Sequence, residues 1–116
     1  MPNEQRAVVI WSILLLAARM QRVLTYGEIE GFTGFMAVGQ GEILFLIYLY
    51  CKSKGYPELN SLAVSQETGF PGGNYPGSPK TATDFLIERA RVFAYGWSAK
   101  DKPSAEDFRA AQSDAA

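Results

Sequence analysis

The sequence predicts a mainly helical α+β fold: a helix-turn-helix core, a small β-hairpin and an additional C-terminal helix. Three observations carry this. Arg22 to Gly39 contains a Thr25-Tyr26-Gly27-Glu28 helix start, a Gly34 stop and a Val38-Gly39 restart, which together describe two helices meeting at a tight corner. Ile43 to Cys51 is apolar or aromatic around its whole circumference, as a helix buried on more than one side must be. Leu59 to Phe70 then changes to period two, the signature of strands.

The elements follow in order. Residues 4–21 are good helix formers, with Val8, Trp11, Leu15 and Ala18 recurring at helical spacing, and Arg19 and Arg22 suit the negative pole of the helix dipole at its end. Thr25 as N-cap and Glu28 three residues later make a capping box for a short helix from Tyr26 to about Phe32, with Leu24 and Ile29 as its hydrophobic staple. A third helix runs from about Val38 to Lys54 and stops at Gly55, two residues before Pro57. A strand, a turn at residues 66–69 and a brief returning strand come next, with Leu62 and Val64 facing opposite to Ser61, Ala63 and Ser65. Residues 69–79 hold four Gly and three Pro, so they read as a shaped loop. Ser78 and Pro79 look like the cap and first position of a helix reaching Tyr95, with Phe85, Leu86, Ala90 and Phe93 inward; Ser104 and Asp107 hint at a last short helix.

At 116 residues the chain fits a single domain over 1–116, with a core over about 4–97 and a frayed tail over about 112–116. Eleven Lys plus Arg stand against twelve Asp plus Glu, a net charge of −1, so long-range steering toward phosphate or an anionic membrane has no basis in composition. A lone Cys51 and the absence of histidine speak against a disulfide or a zinc site, and Cys51, set in an apolar run, reads as a small core residue. Ala7 to Ala18 resembles the apolar part of a secretion signal. It is too short to span a bilayer, Glu4 dilutes its positive start and no small-x-small cleavage site follows, so a buried first helix and a cytoplasmic location are the better account.

The segment Arg22-Val23-Leu24-Thr25-Tyr26-Gly27-Glu28-Ile29, followed by Ala37-Val38-Gly39, resembles the winged-helix DNA-binding half of the alkylguanine alkyltransferases and the alkyltransferase-like proteins. The likeness covers about residues 5–70, places Leu59 to Gly69 where that family has its hairpin, and implies a winged-helix-like architecture. Two features depart from it. The family's Pro-Cys-His-Arg active site has no counterpart in Leu59-Asn60-Ser61-Leu62, and the intruding arginine before the Ala-Val-Gly is Met36 here. The resemblance therefore implies neither alkyl transfer nor the arginine-driven extrusion of a nucleotide; Tyr26 carries over as a match to a phosphate-neighbouring position.

Chemistry needs groups that this chain does not assemble in sequence. Glu28 is assigned to its cap, Ser61, Ser65 and Ser78 have no histidine to activate them, and Asp84 and Glu88 with Arg91 read as a solvated helix face. The expectation is a binding module without catalysis, cofactor or metal. As a module for double-stranded DNA it would use Arg22, Thr25, Tyr26, Gln40, Lys52, Lys54, Ser65 and Gln66. As a protein-interaction or homodimeric module its anchors would be Tyr48, Tyr50, Tyr56, Phe70, Tyr75 and Trp97. Charge balance favours the protein and the resemblance favours DNA. The Gly/Pro loop, with Asn74, Tyr75 and Lys80, is the place where a small anionic ligand would sit.

Overall fold

The computed structural model describes residues 1–98 and 101–115. Helices α1 (Asn3–Arg19), α2 (Tyr26–Thr33), α3 (Gln40–Lys54), α4 (Ala82–Ala94) and α5 (Ala105–Ala115) account for most of them. Two-residue strands β1 (Leu24–Thr25) and β2 (Ala63–Val64), with 3-10 turns at Ala37–Gly39 and Leu59–Leu62, complete the order. The fold is mainly helical α+β.

The corner forms as its residues dictate. Thr25 Oγ1 accepts from the Glu28 amide at 3.0 Å while the Thr25 amide donates to Glu28 Oε1 at 2.9 Å, so both halves of the capping box are present. Gly34 closes α2 at φ 77° and Gly55 closes α3 at φ 71°, backbone angles that a Cβ would strain. Between these stops, α2 and the continuous run from Ala37 to Lys54 are bent by 106°, within the range of helix-turn-helix pairs.

α3 is the central element. It packs against both α1 and α5, which also touch each other, and Ile43, Leu44, Leu46, Ile47, Tyr50 and Cys51 are buried along it. Trp11 of α1 sits in an edge-on aromatic group with Tyr50, Trp97 and Phe108, at ring separations of 5.4, 5.8 and 6.3 Å. Its indole N–H donates to the Asp101 carbonyl at 2.7 Å, which satisfies the one polar atom of a residue otherwise sealed from water. Cys51 is a free, fully buried thiol, and desolvation pushes it up to about 12, so it packs as a small apolar side chain.

Four expectations are corrected. The period-two stretch makes no hairpin: Leu59–Leu62 is a 3-10 turn, and β2 pairs in parallel with β1, Leu24 opposite Ala63 and Thr25 opposite Val64. Residues 59–64 are all buried on both faces, so their alternation had no solvent side to report. α4 begins at a Thr81 cap, whose hydroxyl accepts from the Asp84 amide at 3.1 Å, and not at Ser78. Its buried face is Glu88 and Val92, whereas Leu86 and Ala90 are exposed. Finally, the core does not stop near residue 97, and 112–115 is not a frayed tail. α5 extends to Ala115 and puts Phe108 and Ala111 into the main apolar cluster. Among the described residues, no single helix is long and apolar enough to cross a membrane.

Candidate functional site

The sequence-predicted nucleic-acid set divides. Thr25 is committed to its cap and Tyr26 stands half-buried at the first turn of α2. Gln40 is fully buried, its Nε2 donating to the carbonyls of Tyr26 and Phe35 at 3.0 Å each, so it cannot read a groove; it ties the start of α3 to both ends of α2. Arg22, Lys52 and Lys54 are exposed. Lys52 and Lys54 lie ten and twelve residues beyond Glu42, roughly 15–18 Å along the helix axis, so they do not flank the corner. Lys54 instead lies over the Tyr50 ring at 5.7 Å and lowers the Asp107 carboxyl of α5, a smaller cause there than the Ser104 amide. Ser65 and Gln66 belong to a turn in which the Ser65 amide donates to Phe70 O at 2.9 Å; Gln66 is exposed and Ser65 half-buried.

The aromatic set divides as well. Tyr50 and Trp97 are buried in the core and Tyr56 packs on both, at 6.1 and 5.7 Å, so these three are not a docking surface. Tyr48 stacks on Phe45 at 6.0 Å, half-buried on α3. Phe70 and Tyr75 pack on Phe85 of α4 at 6.0 and 5.0 Å. Lys80 donates from Nζ to Gly77 O at 3.1 Å and so closes the Gly/Pro loop; it does not face the cavity beside that loop.

That cavity, of about 280 Å³, lies where α2, the start of α3 and the loop 71–76 converge. Tyr26, Val38, Phe45, Asn60, Gly72 and Tyr75 are among its walls. A shallower groove of about 560 Å³ continues from it past Phe45 and Asn74 and is lined by Glu4 and Glu42. The loop is held over the cavity from three sides. Gly72 N donates to Tyr26 Oη at 2.8 Å, Arg89 Nη2 donates to Gly69 O at 2.7 Å with its guanidinium 5.3 Å over Phe70, and Tyr75 Oη donates to Glu58 Oε1 at 2.5 Å. A Cβ on Gly77 would collide with Glu58 Oε1 and the Tyr75 ring, so glycine is required there by space.

Behind the cavity runs a polar chain that sequence reasoning missed. Glu88, read as solvated, is buried: Oε2 accepts from the Glu58 amide at 2.8 Å and Oε1 pairs with Arg91 at 2.6 Å. Burial first, and the Glu58 bond second, push the Tyr75 hydroxyl well above its ordinary range, so it stays protonated. Asn60, only 3% exposed, donates from Nδ2 to Tyr75 Oη at 3.2 Å, and its Oδ1 has no hydrogen-bond partner. A buried carbonyl left so costs about 1–3 kcal/mol relative to a satisfied one. The one signal for Asn60 in the sequence was a polar pair, Asn60-Ser61, inside an apolar stretch.

Around the corner itself four large apolar side chains are exposed. Phe32, Met36 and Val38 are 68%, 67% and 89% exposed, and Phe45 is 43% exposed. The charged residues of α2 and the first turn of α3 are Glu28, Glu30 and Glu42, all acidic. The chain matches no family model, no curated protein and no solved structure. Among the described residues, no group of three or more His, Cys, Asp or Glu is placed to hold a metal ion.

Proposed function

We propose that this chain is a non-enzymatic binding module that docks a protein ligand at the α2–α3 corner. The observation that carries the reading is the corner's surface: large apolar side chains at Phe32, Met36, Val38 and Phe45, with carboxylates and no cation on the adjoining helix turns. Exposed apolar groups grouped beside a cavity suit a protein ligand, since their burial is the main driving force of association. Glu28, Glu30 and Glu42 on these turns would repel a phosphate backbone, with Arg22 beside Glu28 as a cation in reach.

A peptide-display library selected on the wild-type protein tests it, with the doubly substituted Phe32→Asp/Met36→Asp protein as counter-selection. Both side chains are exposed and neither lines the cavity, so the variant should fold. The expected result is a set of peptides enriched on the wild type and lost on the variant; peptides that bind both equally would remove the corner from the site.

Double-stranded DNA is the second reading, favoured by the 106° corner and by the winged-helix resemblance. It requires affinity for a duplex that falls steeply between about 50 and 200 mM salt. An absence of duplex binding at low salt eliminates it.

A further inference from the structure

The geometry points to α4 as a self-association surface: its exposed face pairs with the same face of a second copy of this chain, the two helices running antiparallel about a two-fold axis at Ile87. The residues of that face belong neither to the α2–α3 corner nor to the cavity walls, so the pairing is independent of the docking reading.

The polarity of α4 is reversed relative to an ordinary surface helix. It turns the Glu88 carboxylate inward, onto the Glu58 amide and Arg91, and leaves Leu86 and Ile87 52% and 57% exposed. Thr83, Ile87, Ala90 and Ala94, spaced three and four apart, form one exposed stripe with Leu86 at its side. The buried face, with Glu88 and Val92, is the opposite one.

Charge decides the occupant. Of the four charged residues of α4, Glu88 is buried and Arg89 is half-buried on Gly69 O, which leaves Asp84 and Arg91 exposed. They stand seven residues apart, about two turns, on one flank of the stripe. In an antiparallel two-fold pair like flanks meet, so Asp84 of each copy comes level with Arg91 of the other and both ion pairs form together. Arg91 holds Glu88 through one nitrogen, and its guanidinium has further donors. The same register brings the two Ile87 side chains together at the axis and sets the small Ala90 beside Leu86 of the second copy. A parallel pair would set the charged flank against the Leu86 flank and lose both ion pairs. The 13-residue helix offers a strip about 20 Å long and about 10 Å wide. That is well below the roughly 800 Å² per partner of a standard interface, so the dimer exchanges with monomer.

Sedimentation velocity of the full chain from about 10 µM to about 1 mM tests the pairing. Mass should rise from monomer toward dimer across that range. Ile87→Glu sets two carboxylates at the axis and should stay monomeric throughout with unchanged circular dichroism, and Asp84→Lys should weaken the dimer several-fold. Two cysteine variants read the orientation. Under mild oxidation Ile87→Cys should cross-link, whereas Thr83→Cys, whose copies lie about 13 Å apart along the axis in this register, should not. The native thiol, Cys51, is buried and does not compete. A chain that is monomeric at every concentration gives the stripe to a different partner and overturns the proposal. So does a dimer that survives Ile87→Glu, or one in which Thr83→Cys cross-links as readily as Ile87→Cys. Phe32→Asp/Met36→Asp should leave the mass unchanged, so docking at the corner and pairing through α4 fail or survive separately.

Discussion

Gln40 shows how much depends on one side chain at the corner. A polar residue at a helix start looks like a reader of external ligands, yet it is enclosed, and its two bonds stitch α2 to α3. Its Oε1 is also buried without a partner, so removing the side chain relieves one orphan while creating two. Gln40→Ala should therefore cost about 1–2 kcal/mol, a fall in Tm of about 4–8 °C in a domain of this size, read by thermal unfolding. The capping carboxylates are the second residue-scale test. Glu28 lies below its ordinary range because of the Thr25 amide, and Asp107 below its own because of the Ser104 amide. Folded values below unfolded ones mean that this stabilisation is complete above pH of about 4.5 and disappears as pH falls through the folded values. The wild type should lose Tm between pH 5 and pH 3 more steeply than a Glu28→Gln/Asp107→Asn variant.

At the scale of elements, α2 and α3 were legible because their signals are local: a cap, a staple, two glycines and a helix-length apolar run. β1 and β2 were not. Each is two residues long, and their parallel pairing joins positions 39 apart in the chain, which no local pattern encodes. The loop 69–79 was read correctly as irregular, but not as the roof of a cavity, because its ties to Tyr26, Glu58 and Arg89 are tertiary. Gly77→Ala should free that roof by forcing Tyr75 off Glu58. The expected readout is faster hydrogen exchange at Gly72 with little change at α1 and α3, since the core does not include the loop.

At the scale of the molecule, the C-terminal segment is structural. Phe108 is buried at 5.5 Å from Tyr50 and 6.3 Å from Trp11, and α5 packs against α3 and α1. Phe108→Ala should cost about 3–5 kcal/mol, much of the 5–15 kcal/mol a domain has to spend. A chain ending at Pro103 should therefore lack a cooperative thermal transition and near-UV circular dichroism. A folded truncated chain would show that α5 is an accessory.

The residues alone determined the helical class, the caps and stops of α2 and α3, the buried thiol and the low electrostatic drive toward phosphate. These depend on neighbours within four positions or on composition, and such information is complete in one dimension. Tertiary structure decided that Gln40 and Glu88 turn inward, that the aromatic residues split between core and surface, and that Asn60 borders a cavity with an acceptor to spare. Each of those depends on partners from 5 to 86 positions away, and burial of a polar group follows from who meets it in space.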